Sequence, residues 1–578
     1  MDGLFIIGQQ NIILYQDYNE SLREKFVELG KINGLLEENF EGQELDSDIV
    51  MQLLNPIVTS QRVMSSQFDN RYKKLQTLSN LTVIYDEFFG YLFLKMGSGE
   101  PEMEQRILRA CKEFSKLICG PDIQLLRMDY EKSTLLRSLM GVWMKMHGED
   151  QAAHLQKVEF MIISRETRGQ IVSHVQESLK NLKEEPLFSR HHALLFCDGR
   201  LVSEYSSRSG RDLSAKDLHH IRILSTQIRS SGCHLVYLTG TGQNCCAPHI
   251  IFSYRIVNDL IFMLAIEYDN SEVADVIYET LIFLCKIHNY PLDADNIKTM
   301  IEKSDLAIKQ IQEALRGNRM AKVEAERMGK SVEIRWTGMK KKFSELAKNS
   351  SYREVTKFFE ASLPGLIDCL KLLFKTLFLD TFHPLASNNL LLEVCVTLKP
   401  HLEAILTDNS HEQQTIAMKA YIDEFPGLIH FVYVDNADGR VISPERNWDD
   451  TRLLSRVKFF QTIDMMGKYR RKGRSSLIWK SSSLSFSYFT WYEDELGQYL
   501  DPKDVPSCPE TSSTSVNYYQ KITETLFPKN ITKAAKSFEL YLVHLGLVNS
   551  NLCLEHSRRI AVTINDLMGI NRIPMDLL

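Results

Sequence analysis

An α+β chain of several modules is what this sequence predicts, and three observations carry the prediction. Paired apolar runs separated by a short turn occur at three places along the 578 residues. Each pair is followed by a segment of helical apolar periodicity and then by further strand-like runs. Glycine and proline, at 28 and 16 residues, together fall below the roughly 12% average, so turns are few and helices should be many. At roughly 150 residues per domain the length allows about three to four domains.

The first module opens with apolar runs at 3–8 and 11–15 around Gln9-Gln10, a strand–turn–strand signal. Asn19 is a candidate cap for a helix that places Leu22, Phe26 and Leu29 on one side. Strands are expected at 72–78, 81–86 and 91–96. Pro101 then opens a helix with Met103, Ile107, Cys111, Phe114 and Ile118 as one stripe. The expected order is β-β-α-β-β-β-α-α, an antiparallel sheet with helices on both faces.

A helical lead-in over 151–183 introduces a second copy of that order. Runs at 192–197 and 201–205 flank Asp198-Gly199, a turn pair that closes hairpins. Ser214 with Asp217 three residues on caps a helix carrying Leu218, Ile221, Leu224 and Ile228. Three strands follow at 235–239, 250–256 and 260–267, and Ser271 caps a closing helix with Val273, Ile277, Leu281 and Leu284. The copies share element order and not residue identity.

No proline interrupts the charge-rich stretch between Pro291 and Pro364, which predicts long connecting helices. The third hairpin pairs 428–434 with 440–443 around Asp438-Gly439. Asp450 is the expected cap of the next helix, with Leu453, Val457 and Phe460 inward and Gly473 at its end. Strands at 477–480 and 484–492 precede a mobile loop at 501–515, rich in proline, serine and threonine. Helices at 516–527 and 531–547, then a helical tail to Leu578, complete the reading. The division is 1–149, 150–290, a helical connector at 291–420, and 421–578.

With 68 basic and 74 acidic side chains the net charge is −6, too balanced for a protein that coats nucleic acid. A hydrophobic fraction of 44% with 10% aromatics excludes a disordered chain. Apolar runs such as 260–266 are far shorter than the roughly 18 residues that cross a bilayer. The 4–7 run ends at Gly8 beside an acidic start, so no signal peptide is expected and the cytosol is the expected compartment. Eleven cysteines without paired spacing fit reduced thiols.

A search for chemistry returns fragments of motifs. Gly329-Lys330-Ser331 ends like a phosphate-cradling loop, but Glu324 stands where the first glycine belongs. His411-Glu412 begins a zinc-protease helix motif, yet Thr415 replaces the second ligand. Cys245-Cys246 with His249, and His219-His220 or His191-His192, lack the two separated ligand pairs of structural zinc sites. Thr239-Gly-Thr-Gly242 has two glycines of a dinucleotide fingerprint without the third. No Gly-x-Ser-x-Gly elbow occurs. The expectation is therefore an interaction protein with no catalytic residue, no metal and no cofactor.

Two basic groups are candidate partner surfaces. Arg23 and Lys25 lie on the helix after the first hairpin, whose apolar residues also read as core. Lys468, Arg470 and Arg471 belong to the densest basic run, 468–474. Its plain reading is cations in a last helical turn, meeting the negative end of the helix dipole. The alternative is a patch for anionic lipid or an acidic protein surface.

Specific residues then carry a resemblance. The stretch Tyr421-Ile-Asp-Glu-Phe-Pro-Gly-Leu-Ile-His-Phe-Val-Tyr-Val-Asp435, Ser487-Tyr-Phe-Thr-Trp-Tyr-Glu493, Tyr518-Tyr519 and Arg572-Ile-Pro574 resemble the third longin unit of the Hermansky–Pudlak syndrome type one family. The helix Glu20-Ser-Leu-Arg-Glu-Lys-Phe26 is similar to that family's opening. The likeness over about 150–290 rests on element order, and the long Ser/Pro-rich insert of vertebrate relatives has no counterpart. It implies three longin-like domains joined by the helical connector. It also implies a subunit of the biogenesis of lysosome-related organelles complex three, paired with a second tri-longin chain like the type four protein. The pair would promote GDP release from Rab GTPases of the thirty-two/thirty-eight subfamily, reaching endosomal or lysosome-related organelle membranes, including those of pigment granules, through the Rab and binding no nucleic acid. A non-catalytic tether or scaffold that binds GTP-loaded Rab is the alternative. The family supplies no short motif that fixes a catalytic residue.

Overall fold

The computed structural model describes residues 2–40, 42, 44–68, 72–77, 81–180, 190–207, 212–227, 231–240, 245–257, 259–268, 271–288, 294–317, 323–348, 352–379, 384–407, 424–444, 454–481, 483–494, 496–501, 519, 522–523, 526–527 and 535–567. Strands β1 (Asp2–Ile7) and β2 (Ile13–Tyr18) form the first hairpin, followed by α1 (Glu20–Ile32) and α2 (Ser47–Phe68). Strands β3 (Lys74–Gln76), β4 (Thr82–Phe88) and β5 (Tyr91–Gly97) complete a sheet of order β2-β1-β5-β4-β3, and α3 (Pro101–Cys119) follows. Phe5, Ile7, Leu22, Phe26, Leu54 and Leu94 centre the core between α1, α2 and the sheet. Helix α2 has no counterpart in the sequence reading, because Pro56 in its interior reads as a breaker. Its buried face of Val50, Met51, Leu54 and Val58 holds it against the sheet all the same.

After α4 (Leu125–Met128) and α5 (Tyr130–Glu149) the expected helical lead-in is interrupted. Between α6 (Gln151–His154) and α7 (Arg165–Ser178) lies a two-residue strand, β6 (Val158–Glu159). Strands β7 (His191–Cys197) and β8 (Arg200–Ser206) form the second hairpin. Asp198 and Gly199, with φ of 53° and 71°, make a turn whose left-handed residues match the twist of the strands. Helix α8 (Ala215–Ser225) starts on a complete Ser214/Asp217 capping box. Then come β9 (Ser231–Leu238), β10 (Ala247–Val257), β11 (Leu260–Glu267) and α9 (Ser271–His288), with sheet order β8-β7-β11-β10-β9. Ile228 lies outside the described residues.

The connector is helical, in α10 (Ala294–Gly317), α11 (Val323–Lys348), α12 (Tyr352–Phe378) and α13 (Pro384–Thr407). The third module contains β12 (Leu428–Asp435), β13 (Arg440–Ile442), α14 (Arg456–Arg471), β14 (Ser476–Lys480), β15 (Leu484–Glu493), β16 (Lys536–Leu545) and α15 (Ser550–Leu567). Its sheet order is β14-β15-β16-β12-β13-β6. Without β6, this is the order of the other two sheets counted from the opposite edge.

Three expectations change in the third module. The segment expected as a helix over 531–547 contains the central strand β16, paired with β12 and β15. Residues 537–544 are buried on both faces, so the alternation that marks a strand is absent from the sequence. The cap of α14 is Ser455, whose side chain accepts from the backbone N–H of Lys458, and not Asp450. Val457 is 64% exposed; the inward stripe is Phe459, Phe460, Ile463 and Met466. Asp450, Leu453, residues 502–518 and the tail beyond 567 lie outside the described residues.

The chain groups into two compact units, one of residues 1–141, 234–250 and 267–384 and the other of residues 142–233, 251–266 and 385–578. Among the described residues no helix is long and apolar enough to cross a membrane.

Candidate interaction surface

In the first unit α1 is built outward from its cap. Asn19 Oδ1 accepts from the N–H of Leu22 at 3.1 Å and from that of Asp2 at 3.0 Å, so one side chain starts the helix and ties it to β1. Leu22 and Phe26 enter the core, where the Phe26 ring meets Phe5 and Tyr18 edge-on. Leu29, expected on the same stripe, is 36% exposed, and Ile32 is 71% exposed. The last turn of α1 thus presents an apolar step to solvent.

On the earlier turns of α1 lie Arg23 and Lys25, both already engaged. Arg23 donates to Glu20 Oε1 from Nε at 2.8 Å and to the carbonyl of Gly42 at 3.0 Å; Lys25 pairs with Glu28 at 2.7 Å. The hydrogen bond from Arg23 holds the Glu20 carboxyl below its usual range. An acidic partner would exchange these local pairs for its own, so α1 can contribute orientation more readily than bulk attraction.

The second basic group, in the other unit, splits. Lys468 is exposed and Arg471 half-buried at the end of α14, but Arg470 is only 5% exposed. Its guanidinium reaches Glu539 on β16 and the hydroxyl of Tyr519, with Tyr488 and Tyr541 at 3.5 and 3.4 Å, and Tyr488 donates to Glu539 at 2.5 Å. The placement of Arg470 on a partner surface is therefore corrected: its long side chain is interior. Its position continues the stripe Phe459, Ile463, Met466 at helical spacing, a signal present in the sequence and outweighed there by the surrounding cations.

The same unit holds a junction that sequence reasoning missed. The segment from Asp150 to Ile163 is bonded to two sheet edges. Val158 and Phe160 donate to the carbonyls of Gly439 and Val441 on the third-sheet side, and Met161 donates to that of Leu201 in β8. Gln151 donates from its amide nitrogen to Ser443 Oγ, and its Oε1 accepts from His430 Nε2 at 2.9 Å. Arg222 of α8 binds Asp150 and the carbonyl of Gly199, and Arg440 binds Glu204 at 3.2 Å. The guanidinium groups of Arg168 and Arg440 each approach the Phe160 ring, 4.9 Å from its centroid.

Burial tunes the charges along this segment. Desolvation, and then the Asp150 charge, raise Glu159 to about 7. Desolvation lowers Lys157 to about 8 against the attraction of Asp435, and lowers His219 to about 4 with help from Arg222. For Asp150 desolvation pushes upward, but Arg222 and the N–H groups of Ala152 and Ala153 prevail and the carboxyl ends below its usual range. These groups hold a joint together.

The motif fragments are placed plainly. Gly329-Lys330-Ser331 lies inside α11 rather than after a strand. His219 and His249 each turn Nδ1 to a backbone carbonyl, and Cys246 takes its N–H to Asp275. Among the described residues no group of three His, Cys, Asp or Glu is placed to hold a metal ion. His411-Glu412 and the second half of Thr239–Gly242 lie outside them.

A hairpin, a helix, three further antiparallel strands and closing helices, in one recurring strand order, define longin-like α+β domains. Two family models then match at the ends of the chain: the first longin domain of FUZ, MON1 and HPS1 over residues 2–146, and the third longin domain of FUZ, MON1 and HPS1 over residues 427–567. Together the matches support a tri-longin family linked to membrane trafficking.

Proposed function

We propose that this chain is one subunit of a heterodimeric guanine-nucleotide exchange factor for Rab GTPases of the thirty-two/thirty-eight subfamily. Its partner is a second tri-longin chain like the Hermansky–Pudlak syndrome type four protein, and its setting is the biogenesis of lysosome-related organelles, pigment granules among them. The observation that supports this reading is the pair of longin-model matches, first domain at one end and third at the other. The protein works from the cytoplasm and meets endosomal or lysosome-related membranes through the Rab.

Exchange in this reading uses no nucleophile, metal or cofactor. The complex binds the nucleotide-free GTPase more tightly than the loaded form, and that difference shifts the equilibrium toward release. Weakening a nucleotide about a thousandfold takes about 4 kcal/mol of differential binding. A broad protein surface provides this by drawing switch loops away from phosphate and magnesium. The first domain contributes α1, with Leu29 and Ile32 as apolar contacts and Arg23 and Lys25 as orienting charges.

The test co-expresses the chain with its tri-longin partner and follows release of fluorescent GDP from the Rab. Leu29→Asp with Ile32→Asp is expected to slow release by about tenfold or more, the loss of roughly 1.4 kcal/mol. Arg23→Glu with Lys25→Glu is expected to slow it less. Unchanged release in both would remove α1 from the surface. A pull-down that favours GTP-loaded over nucleotide-free Rab would replace exchange by the tether reading.

A further inference from the structure

The third sheet is treated differently at its two ends. At one, β13 has received the extended segment 158–160 of the same chain through ladder hydrogen bonds to the carbonyls of Gly439 and Val441. At the other, β14 closes the strand order among the described residues, with exposed residues at both ends and half-buried ones between. Thr490 donates to the carbonyl of Ser475 at 2.9 Å and Ser481 donates to that of Leu484 at 2.8 Å, bracketing the β14–β15 ladder. In antiparallel pairing the bonded positions alternate, so Leu477 and Trp479 turn their backbone groups to β15. Ser476, Ile478 and Lys480 turn theirs outward.

Charge is the second observation. From Met465 to Leu484 there is no acidic residue, while Lys468, Arg470, Arg471, Lys472, Arg474 and Lys480 are basic. Arg470 is matched inside by Glu539, whereas Lys472 and Arg474 are exposed in the short link from α14 to β14 and Lys480 is exposed at the last position of β14. Lys480 donates to the carbonyl of Val548 at 2.7 Å, which fixes its position beside the edge without cancelling its charge. On the α14 face, Leu477 and Trp479 are only partly covered, with Trp479 stacked on Phe486 at 5.0 Å.

We propose that β14 is a docking edge for an extended acidic segment of a partner protein, which adds to the sheet as a further antiparallel strand. Its backbone bonds the outward groups of Ser476, Ile478 and Lys480. Acidic side chains meet Lys472 and Arg474, and alternate apolar ones lie beside Leu477 and Trp479. A second copy of this chain is a poor occupant, because two such edges would bring like charges together. Lysines on an edge strand also serve to block pairing altogether, and the experiment separates that role from docking.

The probe is a fluorescein-labelled peptide of alternating glutamate and valine, added to the full chain as purified, with a lysine–valine peptide and phosphatidylserine vesicles as the other arms. Anisotropy should show saturable binding of the acidic peptide alone, with slowed amide exchange at Ser476, Ile478 and Lys480. Ile478→Pro removes an outward N–H that the fold does not use, and should weaken binding about tenfold. Lys472→Glu with Arg474→Glu leaves the backbone edge intact and should weaken it at least as much, with the remaining affinity less sensitive to salt. Equal binding of both peptides, indifference to Ile478→Pro, no acidic-peptide binding, or binding of vesicles alone would each overturn the proposal.

Discussion

The first and third domains share a strand order and resolve its edges differently. In the first, the outer hairpin strand β2 is met by a side chain: Arg137 of α5 donates to the carbonyl of Gln16 and lies 3.6 Å from the Asp17 carboxylate. In the third, the equivalent strand β13 is met by backbone, as β6 extends the sheet. Each domain also buries an ion pair against its fifth strand, on opposite faces. Lys95 of β5 pairs with Glu104 of α3 at 3.0 Å, whereas Glu539 of β16 pairs with Arg470 of α14. The shared order is set by local hairpins and crossovers; edges and charged interiors are where domains of one fold acquire different duties.

The largest expected effect tests the buried charges. Arg470→Leu leaves Glu539 unpaired among three tyrosines and should cost the third domain about 3–5 kcal/mol. Hydrogen exchange would then quicken in β15 and β16 while β1–β5 keep their protection. Arg470→Met combined with Glu539→Leu should recover most of the loss; a double variant as damaged as the single would show that the tyrosine hydroxyls, and not the unmatched charge, set the cost.

Acid should separate the domains next. Residues 1–141 contain no histidine, whereas His544 in β16 is buried against His556 at 3.0 Å and held at about 4, first by desolvation and then by His556. Its unfolded value is near 6.5, so below that pH the unfolded chain takes up a proton that the folded domain refuses. Stability present above pH 6.5 is lost as pH falls toward 4, by about 2–3 kcal/mol from this group. Denaturation followed by exchange at β16 across that window should show the fall, and His544→Gln should flatten it. An equal fall in both variants would assign the acid sensitivity to other groups.

Two smaller effects sharpen the contrast of edges and caps. Val158→Pro removes the N–H that binds the carbonyl of Gly439 and should cost about 1–2 kcal/mol, read as faster exchange in β13. Asn19→Ala removes the α1 cap and its tie to Asp2, and should lower first-domain stability by about 1 kcal/mol in a denaturant titration. Unchanged exchange in β13 after Val158→Pro would show that this ladder bond contributes little to the edge.

Legibility in the sequence followed the range of the interactions. The Asp198-Gly199 and Asp438-Gly439 turns, the Ser214/Asp217 box and the Asn19 cap could all be read, because each acts within a few residues. Helix α2 was hidden by Pro56, and β16 by burial of both its faces. Arg470 was half-legible: its helical spacing pointed inward and its cationic neighbours outward. Leu29 read as core but stands at the surface, since the buried stripe of α1 runs through Leu22, Phe26 and Gly30 and leaves Leu29 to one side.

Taken alone, the amino-acid order determined three hairpins, the helices that follow them and the absence of a recognisable catalytic motif. Turn, cap and periodicity signals are carried by neighbouring residues, so they need no fold to be read. Only the tertiary structure decided that 158–159 is a strand, that Arg470 is interior, and that β14 is the outermost strand of its sheet among the described residues. Those outcomes depend on backbone and side-chain bonds between segments as distant as Gln151 and Ser443, 292 residues apart, and such pairing leaves no local imprint.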